Sequence, residues 1–353
     1  MSTEPDTLLL GLGNPVLRDD AVGLIVASRL YPWLDPQQIE LKTASVGGLG
    51  FIDLITGYRR LVMIDALLTS AQPIGHVHFL RREQLSSTQR TVSLHDIGFG
   101  EALEMGAHMG LPMPSDISAY GIEVHDPFAL GKTLTPRLRN VLPQALLAIL
   151  RHAFPSRAQW PAELAMILRN RRCRSVSSHC DTRAGVAVAL RRSADGALRV
   201  LLIKRAESMR RYPGQWAFPG GMCQGEEHPF VTMAREAHEE MGWQRESYIP
   251  LGRLDPAITA GGEILFPFVL APAATALDQP WPVTQPATEF TCAQEFALDA
   301  VFDAPRMMVG TRVIGSWQQP VYSITIDGQQ LNGATARILL QLAALWRRYS
   351  VRG

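Results

Sequence analysis

Three glutamates in the second half of the chain stand at helical spacing. Glu236, Glu239 and Glu240 fall at positions i, i+3 and i+4, so in a helix their carboxylates share one face. Like charges grouped in this way repel one another unless a cation neutralises them, and carboxylate oxygens are ligands that Mg²⁺ and Mn²⁺ prefer. The spacing therefore indicates a divalent-metal site, and a solvated glutamate-rich helix face is the alternative interpretation.

The residues around these glutamates have types that would complete such a site. Arg235 can pair with Glu239 one helical turn later and hold the acidic face in place. Glu227 is expected to approach from the loop before the helix. The Gly220-Gly221 turn allows a backbone carbonyl to come close to a bound metal ion.

The whole stretch GGMCQGEEHPFVTMAREAHEEMGW resembles the Nudix box. The box residues are Gly221, Glu227, Arg235, Glu236, Glu239, Glu240 and Gly242. The resemblance implies an α+β Nudix fold and hydrolysis of a diphosphate bridge with Mg²⁺ or Mn²⁺ as cofactor. It implies that Glu236, Glu239 and Glu240 are catalytic and hold the metal ion together with Gly220. Which carboxylate acts as the base stays open, and Glu295 is a candidate outside the box.

Two further stretches narrow the substrate class. LLIKRAESMRRYPGQWAFPGG and the later LNGATARILLQL resemble the coenzyme A pyrophosphatase branch of the Nudix hydrolases, over residues 163–353. The departures from that branch are Tyr212, Trp216 and Asn332, where His, Val and Trp are usual. They leave the diphosphatase expectation standing, with an NAD-like, FAD-like or coenzyme A-like substrate. Trp216 either faces a ring of the substrate or packs inside a strand.

The first half of the chain begins with a strand, a glycine turn and a helix. The segment TLLLGLGNPVLRDDAVG contains Gly11 and Gly13, but Val16 stands where a dinucleotide-binding fingerprint has its third glycine. The next strand also ends without the acidic residue that would bind a ribose. Both observations exclude a Rossmann cofactor site at this turn.

Two carboxylates and one imidazole on neighbouring loops form a second candidate site. Asp20 follows the glycine turn, Asp65 ends a buried strand, and His95 precedes a predicted helix. This oxygen-rich set with one nitrogen suits Ni²⁺ or Zn²⁺. Capping of a helix N-terminus is the alternative for the aspartates, above all for Asp19.

These residues lie in motifs that resemble those of the hydrogenase maturation endopeptidases. The motifs are GLGNPVLRDDAVG, VMIDAL, SLHDIGFGEAL and YGIEVHDPFALGKTLTP, which together span residues 7–150. The resemblance implies a flavodoxin-like doubly wound sheet. It also implies that Asp20, Asp65 and His95 meet nickel carried by the large-subunit precursor of a [NiFe]-hydrogenase, whose C-terminal extension is removed. Thr43 is a departure, since many members have an aspartate near that position.

The periodicity of the sequence predicts the elements that must position both sites. Strands are predicted at 7–12, 39–46, 60–65, 75–82 and 117–124, and helices at 20–31, 49–57, 98–109 and 135–152. Their alternation indicates an α/β fold with helices on both faces of an open sheet. In the second half a β-hairpin is followed by a helix at 228–242, further strands and a final helix, which is typical of an α+β fold.

Length and composition limit the domain organisation and the kinds of partner that we expect. The chain has 353 residues, 46% of them hydrophobic, and a net charge of +1, so nothing indicates nucleic acid or a membrane as partner. We expect a peptidase domain at 1–154, a linker at 155–162, a Nudix domain at 163–353 and a cytoplasmic location. A further metal site formed by Cys173, His179 and Cys180 lacks a fourth ligand.

The two halves together predict a bifunctional maturation factor. One half would process a [NiFe]-hydrogenase large-subunit precursor, and the other would hydrolyse a nucleotide derivative. Two alternatives stay open at this point. The Nudix half could be a nucleotide-binding regulatory module, and the first half a non-proteolytic chaperone that binds nickel or a partner protein.

Overall fold

The computed structural model of the chain describes residues 5–81, 99–157, 159–174, 182–273, 279–283, 289–314 and 317–350. The chain divides into two compact units, Met1–Arg171 and Arg172–Gly353. None of the helices within the described ranges is long and apolar enough to cross a membrane. The first unit has one sheet and the second has two, and each unit has its own hydrophobic core.

The first unit is built on a five-stranded sheet. Its strands are β1 (Thr7–Leu12), β2 (Ile39–Ala44), β3 (Arg60–Leu67), β4 (Val77–Arg81) and β5 (Asp116–Glu123). Its helices within the described residues are α1 (Val22–Leu30), α2 (Gly50–Ile55), α3 (Phe99–His108), α4 (Pro136–Ala153) and α5 (Trp160–Asn170). The strands and helices predicted between residues 7 and 152 are all present, in the predicted order.

The strand order β2-β1-β3-β5-β4 confirms the doubly wound α/β architecture. Strands β1, β2, β3 and β5 are parallel, whereas β4 pairs with β5 in the antiparallel direction. An antiparallel edge strand on an otherwise parallel sheet is common in doubly wound folds. Strand β3 lies at the centre and is buried from Leu61 to Leu67, because both faces of the sheet are covered.

Helices cover opposite faces of this sheet because side chains alternate along each strand. Leu8, Leu10 and Leu12 of β1 pack against α2 and α3 in one hydrophobic core. The intervening Gly11 faces the other side, where a Cβ at this position would come 2.8 Å from Cβ of Ala27 in α1. Leu10 and Gly11 thus lie on different faces of the same strand.

The first unit extends beyond the linker expected at 155–162. Helix α5 packs on α4, and Arg151 of α4 forms an ion pair with Glu163 of α5 at 2.7 Å. The side chain of Asn170 accepts a hydrogen bond from Arg29 of α1. These contacts are the physical reason why α5 belongs to the first compact unit and not to the second.

The second unit contains two sheets. Its strands are β6 (Arg183–Arg192), β7 (Leu198–Arg205), β8 (Trp216–Ala217), β9 (Gly220–Met222), β10 (Tyr248–Arg253), β11 (Ala257–Ile258), β12 (Ile264–Pro272), β13 (Phe290–Ala297), β14 (Arg306–Ile314), β15 (Trp317–Ile326) and β16 (Gln329–Asn332). Its helices within the described residues are α6 (Pro229–Met241), α7 (Leu298–Asp303) and α8 (Gly333–Ser350). The predicted hairpin is confirmed as the β6–β7 pair, and the two predicted helices as α6 and α8.

The larger sheet of the second unit has the order β10-β12-β6-β7-β13. Strands β6 and β12 run parallel, and the short β9 pairs with β6. The smaller sheet has the order β14-β15-β16. Helix α6 packs on β6 and β9, where Met233, Ala237 and Met241 enter the core. This mixture of sheets and helices is the α+β arrangement expected for this half.

One glycine lets α1 begin directly against the ends of two strands. A Cβ at Gly23 would overlap the carbonyl oxygens of Leu12 in β1 and Ile64 in β3, and would lie 3.0 Å from Cα of Asp65. Gly13, at φ +141°, similarly leaves no room for a side chain beside the backbone of Asp20. The loop between β1 and α1 is thereby held close to the carboxyl end of β3.

A buried carboxylate holds the loop that follows β3. Glu123, which is 1% exposed, accepts hydrogen bonds from the backbone N–H groups of Thr69 and Ser70 at 2.8 and 2.9 Å. It also accepts one from the Thr69 hydroxyl at 2.6 Å and contacts Nε2 of His78 at 2.8 Å. Burial acts to raise the pKa of Glu123, but these hydrogen bonds outweigh it and bring the pKa below its usual value.

Replacing Gly23 by alanine is expected to destabilise the first unit by about 3 kcal/mol, because the new methyl group meets backbone oxygens that cannot rotate away. Gly50→Ala is the matched control in the first turn of α2, where the nearest atom to the added Cβ is Cβ of Val46 at 3.4 Å. That control is expected to be neutral or to stabilise by up to about 1 kcal/mol. Calorimetric unfolding of the full chain measures both effects, and equal unfolding temperatures would contradict the close approach.

Glu123→Gln is expected to lower the free energy of unfolding by about 2 kcal/mol at pH 7, because charged acceptors make the stronger hydrogen bonds. A carboxyl whose pKa is lowered in the folded state stabilises that state above its unfolded pKa, and the contribution is lost as the pH falls. The difference between wild type and variant should therefore shrink below about pH 4.5, the ordinary pKa of a glutamate. Urea unfolding between pH 3.5 and 8 tests this, and a difference independent of pH would contradict it.

Candidate functional sites

The first unit brings two predicted site residues to one end of its sheet. Asp20 and Asp65 are 1% and 8% exposed. The Asp20 carboxylate accepts a hydrogen bond from the backbone N–H of Asn14 at 2.6 Å, and that of Asp65 accepts one from the N–H of Ala66 at 2.8 Å. Because β1 and β3 are neighbouring parallel strands, the loop carrying Asp20 meets the end of β3 that carries Asp65. Two buried carboxylates are thereby gathered where ligands bind in open α/β sheets.

The acidic neighbour Asp19 has a structural contact. Its two carboxylate oxygens accept hydrogen bonds from the backbone N–H and the hydroxyl of Thr135, at 2.7 and 2.8 Å. Thr135 is the N-cap of α4, where its hydroxyl accepts a hydrogen bond from the N–H of Leu138. Asp19 therefore ties the Asp20 loop to the start of α4. It does not cap α1, whose N-cap is Ala21 without a side-chain hydrogen bond, so the capping alternative is wrong for Asp19.

The third predicted residue of this site, His95, lies outside the described residues. Thr43 is part of β2, where it pairs with Gly11. Within the part of the chain that the structure describes, no three His, Cys, Asp or Glu side chains are grouped so that they could hold one metal ion. His179 and Cys180 are also outside this part.

In the second unit, glycines bring α6, the helix that carries the box glutamates, against the sheet. A Cβ at Gly185 of β6 would overlap the carbonyl of Pro229 at the start of α6. A Cβ at Gly221 of β9 would overlap the carboxylate of Glu236. The N–H of Gly220, which has φ +142°, donates a hydrogen bond to the Glu240 carboxylate at 2.8 Å. The acidic face of α6 is thus fixed against the Gly220-Gly221 turn.

Three carboxylates share one cavity of about 320 Å³ beside this turn. Glu236, Glu240 and Glu289 all line it. Burial is the main cause that raises the pKa of Glu240, to about 8, and the charges of Glu236 and Glu289 raise it further. Burial likewise raises the pKa of Glu236. Negative charge is therefore concentrated in a site where it is poorly solvated.

Arg235 organises the remaining glutamates of the box. Its guanidinium lies 3.0 Å from Glu239, in the predicted i, i+4 pair, and 2.8 Å from Glu236. It also lies 3.3 Å from the Glu227 carboxylate. Hydrogen bonds from Arg235 and Thr232 lower the pKa of Glu227. Glu239 is 55% exposed and does not line the cavity, so only Glu236 and Glu240 of the three helical glutamates line it.

The donor set of this site fits a divalent cation. Glu236 and Glu240 offer oxygen ligands in one cavity with the Gly220 backbone, and burial is the main cause that raises the pKa of both carboxyls. Mg²⁺ and Mn²⁺ prefer such oxygens. A bound cation would offset the mutual repulsion and the burial of these carboxylates.

Glu295, the candidate base outside the box, does not line the cavity. Both of its carboxylate oxygens pair with the guanidinium of Arg191, at 2.5 and 2.7 Å. The carboxylate that reaches the cavity from the same part of the chain is Glu289, just before β13. No sequence signal marks Glu289, because its position depends on how β13 pairs with β7.

The residues that depart from the coenzyme A pyrophosphatase pattern all line the cavity: Tyr212, Trp216 and Asn332. Trp216 is 6% exposed, donates its indole N–H to Gln329 at 3.1 Å and packs edge-on against Phe296. The packing alternative for Trp216 is therefore confirmed, and the side chain also contributes to the cavity wall. Because these three residues differ from that pattern, the cavity wall that a substrate would contact differs from it as well.

Two family models match this chain, one in each unit. Residues 26–152 match the hydrogenase maturation protease model, and residues 181–308 match the NUDIX domain model. The two matches fall on the units that carry Asp65 and the box glutamates, respectively.

Individual relatives agree with this division. The peroxisomal coenzyme A diphosphatase ndx-8 of Caenorhabditis elegans is 38% identical over 24% of this chain, which spans only 38% of that relative's length. The uncharacterized Nudix hydrolase NudL of Photorhabdus laumondii is 30% identical over 41% of this chain and 75% of its own length. The hydrogenase expression/formation protein HupD of Thiocapsa roseopersicina is 23% identical over 50% of this chain and 77% of its own. The chain therefore joins a domain of the hydrogenase maturation protease family to a domain of the Nudix hydrolase family, both of them families of hydrolases.

Proposed function

We propose that the second unit is a metal-dependent diphosphatase acting on nucleoside diphosphate derivatives of the NAD, FAD or coenzyme A type. The observation that carries this proposal is the cavity of about 320 Å³ into which Glu236, Glu240 and Glu289 converge beside the Gly220 turn. Its wall also contains aromatic and apolar side chains, among them Trp216 and Phe218. Such a wall suits a nucleoside or another ring system.

The box residues would hold Mg²⁺ or Mn²⁺ through Glu236, Glu239, Glu240 and the backbone of Gly220. Such an ion, when bound, neutralises phosphate oxygens and lowers the pKa of water. Arg235 holds Glu236 and Glu239 in place by ion pairs, and Gly220 fixes Glu240 by its N–H group. Glu289 faces the same cavity from outside the box and is the side chain best placed to accept a proton from water.

We infer that the first unit is an endopeptidase that removes a C-terminal extension from the nickel-loaded large-subunit precursor of a [NiFe]-hydrogenase. The supporting observation is the pair of buried carboxylates, Asp20 and Asp65, at the carboxyl end of neighbouring strands. His95 would complete a set of ligands for nickel that the precursor brings. A chain with both activities would be a bifunctional maturation factor.

Glu239→Gln is expected to lower kcat for hydrolysis with Mg²⁺ by about a hundredfold, or about 2.7 kcal/mol of transition-state stabilisation, because it removes a charge from the metal-binding face. Glu239 is 55% exposed, so the variant should fold normally. A panel of NADH, FAD, coenzyme A and ADP-ribose supplies the substrates, and phosphate release is the readout. Glu246→Gln, on an exposed position outside the box, is the matched control. No turnover of any member by the wild type would favour the regulatory binding module.

Asp65→Asn is expected to slow cleavage of the nickel-loaded precursor by at least about a hundredfold, because the amide removes the charge that would face the metal and the reacting peptide. Shortening of the large subunit on a denaturing gel is the measurement. Asp53→Asn, on an exposed position of α2, is the control. Equal shortening by Asp65→Asn would contradict the role of Asp65 in cleavage, and no shortening by the wild type would favour the chaperone alternative.

A further inference from the structure

A polar cluster outside the Nudix box lies on two loops at the same cavity. Arg211 and Tyr212 belong to the loop between β7 and β8, and Glu263 precedes β12. All three line the cavity together with the box glutamates. Arg211 adds a positive charge to a cavity whose other charged groups are largely carboxylates. Neither the Nudix box nor the proposed chemistry uses these three residues.

Glu263 is the buried centre of this cluster. It is 5% exposed, and one carboxylate oxygen accepts a hydrogen bond from the Arg211 guanidinium at 2.5 Å. The other oxygen accepts hydrogen bonds from the Tyr212 hydroxyl at 2.9 Å and from the hydroxyl of Thr259. Burial acts to raise the pKa of Glu263, but its hydrogen bonds and the Arg211 charge outweigh it, so the carboxyl is held ionised.

The same contacts fix the backbone of the loop. Tyr212 has φ +55°, a left-handed conformation that a residue with a side chain seldom adopts. Its hydroxyl also accepts a hydrogen bond from the N–H of Gly261 at 2.6 Å. On the other side, Nε of Arg205 donates to the carbonyl of Arg211 at 3.2 Å. Hydrogen bonds from both sides therefore hold the loop in place, which allows a strained backbone conformation to persist.

Arg211 keeps most of its hydrogen-bonding capacity in this arrangement. Its side chain is 64% exposed, and within the described residues its guanidinium donates to Glu263 alone. A guanidinium carries five N–H donors in a rigid fork, so several face the cavity and solvent. A planar fork of this kind matches the oxygens of a phosphate group.

We propose that Arg211 is a phosphate anchor for the nucleotide ligand of the second unit and that Glu263 is the residue that positions it. This role of Arg211 deepens the proposed diphosphatase function and rests on it for the class of ligand. Arg211 lines the same cavity as the box glutamates Glu236 and Glu240, so a diphosphate bound there would share that cavity with the fork. Because Glu263 fixes Arg211 before a ligand arrives, little side-chain freedom is lost on binding.

Calorimetric titration of the full chain with adenosine, AMP and ADP in EDTA tests the anchor without metal or turnover. Arg211→Gln is expected to weaken ADP binding by about tenfold, because a charge-assisted hydrogen bond is lost, and to change adenosine binding by less than about twofold. Arg211→Lys should recover part of the affinity, since it keeps the charge but not the fork. Arg210→Gln, on the neighbouring exposed arginine that does not line the cavity, is the matched control.

Three results would overturn the proposal. They are the absence of ADP binding by the wild type, unchanged ADP affinity in Arg211→Gln, and an equal loss in Arg210→Gln, which would point to bulk charge. Failure of the diphosphatase proposal has a different signature: no member of the panel is hydrolysed, while ADP still binds through Arg211.

The positioning role of Glu263 has its own readout. Glu263→Gln is expected to raise KM for the hydrolysed substrates by about tenfold and to leave kcat within about twofold, because the metal-binding face is untouched. Gly261→Ala should act in the same direction, since the added Cβ would lie 2.6 Å from the Glu263 carboxylate and 2.8 Å from the Tyr212 hydroxyl. A parallel fall in kcat in both variants would show a general structural effect and contradict the assignment.

Discussion

The approach of a helix to strand backbone without intervening side chains positions the carboxylates of both units. In the first unit Gly23 rests against the carbonyls of β1 and β3, which brings the Asp20 loop to Asp65. In the second unit Gly185 makes room for the carbonyl of Pro229, so α6 begins on the backbone of β6. Because both contacts are between backbone atoms, adjacent side chains cannot rotate to relieve a larger residue. The geometry of each site therefore depends on a glycine that takes no part in chemistry.

Most elements of the fold could be predicted from local periodicity. The pairing of elements that are distant along the chain could not. The predicted strands and helices of the first unit are present because alternation and helical spacing are local properties of the chain. The antiparallel direction of β4 has no such signature, since it depends on where the chain returns to the sheet. Trp281 is 5% exposed and packs against Trp243, with ring centroids 4.5 Å apart. Its burial is decided by a residue almost forty positions away along the chain.

In the candidate sites, too, local features could be predicted and long-range contacts could not. The Arg235–Glu239 pair could be predicted because its members are four residues apart on one helix. Glu263 and Glu289 escaped prediction because β-strand pairing, rather than a motif, brings them to the cavity. Glu295, the candidate base outside the box, pairs with Arg191 of β6 and does not line the cavity, and its sequence position indicates neither fact. Sequence spacing locates a site on one element and gives little information about what other elements add.

The turn after β1 shows why glycine-rich geometry alone does not define a phosphate site. Gly23 provides the close helix–strand packing that a dinucleotide fingerprint assigns to its third glycine, ten residues after Gly13. The strand-turn-helix frame of a nucleotide site is therefore present. However, the backbone N–H of Asn14, which could donate to a phosphate, donates to the Asp20 carboxylate at 2.6 Å. A negative group of the protein itself occupies the position that a phosphate would take, so the N–H of Asn14 is already used within the protein.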